Sequence, residues 1–182
     1  MACSDVDVSF GNVLIQYDVD QTSSDGLTAG TIAQNEVLAN PKSVVNGNSN
    51  PLGDMSKLIG IDFLLDNNAE PLEATATFSI YFFKTAPQDS GGDIVAADAF
   101  STVTDASLLG LLGKVDISAA QLLGQTDKYF EFYNESDISE IIKPDSDTNY
   151  FYACVVLTSS VSLTIATGAT LTIKYKFEGV AG

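Results

Sequence analysis

The sequence predicts an all-β protein: an antiparallel, jelly-roll-like β-sandwich that forms a single domain over residues 1–182, with one short helix near residues 104–113. Apolar residues alternate with polar ones along several segments, with the period of two that is typical of a pleated strand. About nine or ten such segments are separated by turn-forming clusters, as in sandwiches and jelly rolls. A single helix candidate makes a parallel α/β architecture improbable.

The stretch Lys57–Lys84 contains the clearest strand signals, and we expect it to form a hairpin at the centre of the sandwich. Apolar residues fall on every second position of Ala74–Phe82, and the same alternation runs through Ile59–Leu65. The Asp, Asn, Glu and Pro residues between these two runs are typical of a loop. Phe83 lies on the opposite side of its strand from Phe82, so we expect the second sheet or a neighbouring subunit to cover it.

The N-terminal part of the chain is predicted to add short strands. Val6–Phe10 and Val13–Val19 are rich in strand-forming residues, and Gly11-Asn12 between them is expected to form a tight turn or a bulge. Residues 1–10 are also considered as an extended arm. The polar segment Leu27–Leu38 is predicted to be a weak edge strand.

Two surface loops are predicted on this frame. Asn40–Asp54 is rich in proline, glycine and asparagine, and a short strand is considered within it at Ser43–Val45. Thr85–Asp93 forms the second loop. Loops on a rigid sandwich are where contacts with partners are commonly made, so both loops are candidate contact sites.

The segment Thr104–Gly113 is the helix candidate. Thr104 or Asp105 can cap its start, leucines supply its apolar residues and Gly113 can end it. A short helix of this kind more often plugs the end of a sandwich than forms a site. Further strands are predicted at Lys114–Ile117, Lys128–Tyr133, Ser139–Lys143, Tyr150–Leu157 (buried on both sides), Ser162–Thr167 and Thr170–Phe177 (with one wet face).

The composition argues against several classes of function. The chain has 24 acidic and 8 basic residues, a net charge of −16, and neither arginine, histidine nor tryptophan. Such a charge repels phosphate backbones and anionic lipid surfaces, so we expect no nucleic-acid partner and no membrane partner. Without histidine the chain has no side chain whose unperturbed pKa lies near neutrality and no imidazole ligand for zinc or copper, so we expect no enzymatic activity. The start of the chain lacks a secretory signal, which predicts synthesis in a cytosol.

Two features suggest chemistry of individual side chains. Asp145, Asp147 and Asn149 place oxygen ligands at alternate positions, like the start of a calcium loop, but Tyr150 stands where the glycine of that loop belongs. Turn chemistry at a strand end explains the same residues without a metal, so no cofactor is expected and calcium is kept as the alternative. Cys154 lies in an apolar run and is predicted to be a buried free thiol.

Three stretches resemble a family, the auxiliary or decoration (minor capsid) proteins bound to the outside of tailed-phage capsids. Residues 59–84 resemble an apolar strand, a loop and a strand ending in Phe-Phe. Val103–Val115 is similar to a short helix with an acidic cap that runs into Leu-Gly-x-Val, and Asn149–Ser159 resembles a Val-rich strand with leading aromatic residues. The resemblance spans most of residues 55–177, and its motifs are structural rather than chemical.

The resemblance implies a jelly-roll-like, non-enzymatic part of a virion that docks on a phage shell and stabilises it. The implied partners are the major capsid protein or other virion proteins and further copies of the chain, with a trimer favoured. Its contacts would come from Met1–Phe10 and from the two predicted loops. A second hypothesis is a sandwich module that binds sugar or calcium, for example in a phage fibre or tail.

Overall fold

Strands from all parts of the chain assemble into two facing antiparallel sheets. The structure, a computed structural model, describes residues 10–19, 26–45, 56–73, 75–117, 127–133, 140–142 and 150–179. Sheet A consists of β1 (Phe10–Asp18), β4 (Ser56–Asp66), β7 (Lys128–Tyr133), β8 (Glu140–Ile142) and β11 (Thr170–Gly179). Sheet B consists of β3 (Val37–Val45), β5 (Phe78–Phe83), β6 (Leu111–Ile117) and β9 (Tyr150–Leu157).

Three smaller elements complete the described part of the chain. Strands β2 (Gly30–Ile32) and β10 (Leu163–Ile165) pair with each other outside the two main sheets. A 3-10 turn at Phe100–Thr102 precedes the helix α1 (Asp105–Leu108), which is a single turn long. Both lie in the connection from β5 to β6.

The order of the strands identifies the fold. Sheet A runs β1-β11-β4-β7 and sheet B runs β3-β9-β5-β6, while β8 pairs with the part of β4 that precedes the β7 pairing. If β7 and β8 are counted as one position, the first of eight main strands pairs with the eighth, the second with the seventh, the third with the sixth and the fourth with the fifth. This nested pairing is one long antiparallel hairpin rolled into a sandwich, a jelly roll. The predicted fold class is therefore confirmed.

Aromatic and aliphatic side chains from both sheets form the main core. The ring centroids of Phe63 on β4 and Phe78 on β5 lie 5.1 Å apart, and the ring of Phe82 contacts that of Tyr175 at 6.2 Å. Phe151 of sheet B meets the ring of Phe177 of sheet A at 5.9 Å. These contacts cross the space between the sheets, so burial of large rings holds the two layers together, at about 1.5–3 kcal/mol for each large side chain.

The predicted hairpin at Lys57–Lys84 is wrong, although both of its strands exist. β4 lies in sheet A beside β11 and β7, whereas β5 lies in sheet B between β9 and β6. The connection turns across the sandwich because the buried side chain of Asn67 ties it to the far end of the chain. Its Nδ2 donates to the carbonyl of Thr164 at 2.9 Å, and its Oδ1 accepts from the amide of Ala166 at 2.9 Å.

The predictions for the N-terminal part also need correction. β1 continues through Gly11-Asn12 and pairs with β11 without a shift in register, so no turn or bulge interrupts it. The loop predicted at Asn40–Asp54 begins later than expected, because β3 continues to Val45. A register shift between Ala39 and Lys42 accommodates Pro41, whose missing N–H is tolerated on an edge strand. Residues 1–9 and 46–55 lie outside the described part of the chain.

The predicted helix is present but shorter than residues 104–113. Thr104 caps α1, since its side chain accepts from the amide of Ser107, and the helix ends at Leu108. Its predicted second half instead begins β6, where Leu111 pairs with Phe83. Pairing along sheet B thus outweighs the helical propensity of the leucines. Leu27–Leu38 is not one edge strand as predicted, because it contains the short strand β2 and the start of β3, which belong to different sheets. Strands β7 to β11 fall within two residues of their predicted bounds.

Candidate interaction surface

The connection between β5 and β6 folds over the outer face of sheet B. Residues 85–104, here called the cover, place Ile94, Phe100 and Val103 against Phe83 and Val156 of the sheet. The ring of Phe100 stacks on the ring of Tyr81, with centroids 4.3 Å apart. Together with Val37 and Cys154 these residues form a second apolar cluster, separate from the core between the sheets.

The cover explains how Phe83 is buried. Phe83 is only 1% exposed, so it is buried as expected. The residues that bury it belong to neither the second sheet nor a second subunit, because the cover of the same chain lies over it. Cys154 is also buried in this cluster as a free thiol, and burial raises its pKa, as predicted for an inert cysteine.

Hydrogen bonds to the strands hold the cover in place. The amide of Val37 donates to the carbonyl of Asp98 at 2.9 Å, and the amide of Ala97 donates to the carbonyl of Val37 at 2.8 Å. The side chain of Asn40 accepts from the amide of Ala96 at 2.7 Å. At the other end, the amide of Lys84 donates to the carbonyl of Gly110 at 2.9 Å and closes the loop.

The predicted loop Thr85–Asp93 is an ordered turn within the cover. One carboxylate oxygen of Asp89 accepts from the amide of Gly91 at 2.6 Å and from that of Gly92 at 3.0 Å. The side chain of Gln88 donates to the carboxylate of Asp93 at 3.2 Å. The tip at Ser90 is exposed, so this turn is accessible to a partner.

Beyond the cover, three leucines face outward. We name Leu108, Leu109 and Leu111 the leucine ridge; they are 43%, 89% and 39% exposed. The sequence prediction placed these leucines on the apolar face of a helix that plugs the sandwich, and it therefore missed the ridge. The signal was present in Gly110, because a glycine within a helical pattern commonly marks the end of the helix.

A cleft of about 410 Å³ lies beside the leucine ridge. It is lined by Thr85, Ala86, Gln88, Thr104, Ala106 and Ser107. Two of the hydroxyls in its wall are bonded to each other: Thr104 Oγ1 lies 3.1 Å from Ser107 Oγ, which accepts from the amide of Gln88 at 2.9 Å. The wall therefore offers both methyl groups and polar atoms.

Charges on the adjoining strand are paired with each other. Lys114 Nζ lies 2.9 Å from a carboxylate oxygen of Asp116, whose other oxygen accepts from Ser79 Oγ at 2.5 Å. A hydrogen bond to Asp116 raises the pKa of Lys114. Partial burial acts to raise the pKa of Asp116, but the hydrogen bonds from Ser79 and Lys114 outweigh it and the pKa is lowered.

The candidates for calcium, Asp145, Asp147 and Asn149, lie outside the described residues, so that alternative stays a prediction. In the part of the chain that the structure describes, no three acidic or cysteine side chains gather in a way that could hold a metal ion. Nor does any helix there have the length and apolar character to cross a membrane.

Comparisons with known proteins return likenesses of shape only. No protein-family model matches the chain, and no curated protein matches it. One similar solved structure is desmodium yellow mottle tymovirus, with 13% identity, a TM-score of 0.33 and coverage of 100% of this chain and 94% of that one. The decameric BFDV capsid protein is similar at 7% identity and a TM-score of 0.32, over 96% of this chain and 98% of that one. A pentamer of Israel acute paralysis virus is similar at 9% identity and a TM-score of 0.32, over 96% and 88%.

Proposed function

We propose that this chain is a non-enzymatic structural protein of a virion, which docks on the outside of a tailed-phage capsid as an auxiliary or decoration protein and stabilises the shell. The observation that carries the proposal is the nested strand order, since the jelly roll is an architecture of capsid domains. Lectin domains share this architecture, and a fold alone does not determine function. The family resemblance over residues 55–177 favours the virion.

The structure also offers the kind of surface that docking needs. The turn at residues 85–93 is held by its own hydrogen bonds, so it would lose little conformational entropy when a partner binds. It is part of the cover, which is itself packed on sheet B. We propose this turn as the contact with the shell, through the major capsid protein or another virion protein.

The test is binding to phage shells that lack the protein. Purified chain should co-sediment with such shells at a saturating, defined ratio, and the loaded shells should resist heat better than bare ones. Ser90→Trp, which places a large ring on the exposed tip, should weaken binding by at least about tenfold, a loss of roughly 1.4 kcal/mol. Thr167→Trp, in an exposed turn after β10, is the matched control and should bind as the wild type does.

Two results would overturn this proposal. The first is the absence of saturable binding to any shell that lacks the protein. The second is a specific rise in melting temperature with calcium or with a glycan, combined with no affinity for shells. That outcome would establish the sugar- or calcium-binding module instead.

A further inference from the structure

Two tyrosine hydroxyls lie inside the main core without a hydrogen-bond partner. Tyr17 of β1 and Tyr175 of β11 are both fully buried between the sheets. Neither hydroxyl oxygen has a partner among the residues that the structure describes. Burying a hydroxyl in this way costs free energy, because the group gives up its bonds to bulk water, and buried polar groups in folded proteins are nearly always paired. Two such groups in one core therefore point to a bound partner.

The two tyrosines approach the same part of sheet B. Lys42, Ala153 and Phe82 lie opposite one another in register across β3, β9 and β5. Tyr17 lies at one end of this line, where Lys42 Nζ is 4.7 Å from its ring centroid. Tyr175 lies towards the other end, where its ring centroid is 6.2 Å from that of Phe82. Ala153 is buried between them and carries only a methyl group, so it leaves more room there than a larger side chain would.

Both hydroxyls are held in the neutral form. Burial raises the pKa of Tyr17. Burial also raises the pKa of Tyr175, and interaction with Tyr17 raises it further, so the two groups influence each other across the core. A neutral phenol can donate one hydrogen bond and can also accept. A partner that lies between two phenols must therefore be able to donate and accept as well.

The surroundings favour a small partner without charge. Lys42 Nζ donates to the carbonyl of Gln16 at 2.9 Å, so its charge is engaged at the edge between β1 and β3. The rings of Phe82 and Phe177 contact the ring of Tyr175 from within the core. An ion among such rings would lack a countercharge and would be costly to bury. A water molecule carries no charge, donates and accepts, and is held in protein interiors by a few polar groups of this kind.

Hydrogen bonds close the edge of the sandwich beside Tyr17. The amide of Leu27 donates to the carbonyl of Asp18 at 3.2 Å, and the amide of Asn40 donates to the carbonyl of Gly26 at 3.3 Å. Gly26 allows this close approach, because a Cβ at that position would collide with the carbonyl of Asp18. Leu27 is itself buried. A molecule enclosed behind this closure would exchange slowly with bulk water.

We propose that a single water molecule is a permanent part of this core, bound between the hydroxyls of Tyr17 and Tyr175 beside Ala153. It satisfies both hydroxyls, which explains why tyrosine rather than phenylalanine is tolerated at two fully buried positions. This site lies between the sheets, so it goes beyond the proposed function and does not rest on it.

The first experiment removes the hydroxyls from the full chain. Tyr17→Phe and Tyr175→Phe should each lower the urea midpoint and reduce the folding equilibrium constant on the order of tenfold, because each leaves the water and the other hydroxyl incompletely bonded. The double variant should be at least as stable as either single variant, since no hydroxyl then remains unpaired. Hydroxyls that have no partner at all would give the opposite sign, a higher midpoint for each single substitution.

A second experiment detects the water directly. Oxygen-17 magnetic relaxation dispersion counts the water molecules that stay bound to a protein for much longer than surface water does. The double variant should show one long-lived water fewer than the wild type. Tyr81→Phe is the matched control, because Tyr81 is half-buried on the outer face of sheet B, and it should leave the count unchanged.

The outcomes decide the proposal without reference to phage shells. Lower midpoints in both single variants, a double variant that is no less stable, and the loss of one long-lived water would support it. Higher midpoints in the single variants would overturn it. So would an unchanged water count in the double variant, whatever the midpoints. Additive losses in the double variant would also contradict it, because each hydroxyl would then have a separate partner.

Discussion

The outer faces of the two sheets follow the same alternation yet meet different surroundings. On the outer face of sheet A, Thr172, Lys174 and Lys176 of β11 lie half-buried, and Leu14 of β1 is exposed. On sheet B, the corresponding positions hold Phe83 and Val156, and the cover of the same chain buries them. Alternation along a strand places successive side chains on opposite faces of the sheet. The residue types on a face then determine whether that face must be buried. Here the chain supplies that cover from the connection between β5 and β6.

The comparison predicts a large difference between two apolar substitutions. Phe83→Ala should lower the free energy of unfolding by about 3–5 kcal/mol, because it leaves a cavity under the cover. Leu14→Ala, on the solvent face of sheet A, should change it by less than about 0.5 kcal/mol. Urea denaturation of both variants measures the difference. Similar losses would mean that the outer faces are equally buried in solution.

Backbone strain in the cover provides a second, smaller test. Ala97 has a φ of 69°, in the left-handed region where a side chain is disfavoured. Ala97→Gly should therefore raise the free energy of unfolding by about 0.5–1 kcal/mol. This is a net value, because the greater entropy of glycine in the unfolded chain opposes the relief of strain. Ala99, with a φ of −69°, is the control, and Ala99→Gly should lower stability by a similar amount. The urea midpoints should move in opposite directions; a shift in the same direction would contradict the strain.

Two ion pairs on these outer faces allow a finer comparison. On sheet A, Lys176 Nζ lies 2.6 Å from Asp62, and the side chains are 28% and 16% exposed. The Lys114–Asp116 pair beside sheet B is more exposed, at 42% and 59%. Double-mutant cycles should give a coupling of about 1 kcal/mol for the first pair and a few tenths, roughly 0.3 kcal/mol, for the second. A larger coupling at Lys114 would show that the cover shields that pair from water.

The smallest expected effect is on the free energy of unfolding at acidic pH. The pKa of Asp116 is lowered in the fold, so its carboxylate contributes stability above the unfolded pKa of ~3.9, and this stability is lost as the pH falls through the lower folded value. The stability difference between wild type and Asp116→Asn should be constant near neutral pH and should shrink below about pH 4. If the stability difference between the two proteins grew as the pH fell, the pKa of Asp116 would be raised in the fold rather than lowered.

Strand identity was largely predictable from the sequence, whereas strand pairing was not. The alternation within β5 and β11 is a local signal, and both strands lie in the segments that it predicts, although β5 begins at Phe78 rather than at Ala74. One partner of β4 is β11, more than a hundred residues away, and the alternation of side chains along β4 does not indicate which strand it pairs with. The hairpin prediction failed for this reason, since Asn67 turns the chain across the sandwich through bonds to residues near β10.

The candidate surface was harder to predict than the fold. Leucines at Leu108, Leu109 and Leu111 suit a buried helix face, and only their tertiary setting leaves them exposed. Phe83 was correctly expected to be covered, but local sequence does not show which segment folds back onto a strand. Distances along the chain between Phe83 and its covering residues are short, so a loop rich in apolar residues after a strand is the signal to look for.

The pairing of β1 with β11 has a consequence for how the protein is made. Phe10 lies opposite Glu178 in sheet A, so the first strand waits for nearly all of the chain to be synthesised before its partner exists. Strands that are this distant in sequence pair slowly, and an apolar strand without its partner is prone to misassembly. We expect folding to complete only late in synthesis, with the acidic surface keeping the waiting chains apart by charge repulsion.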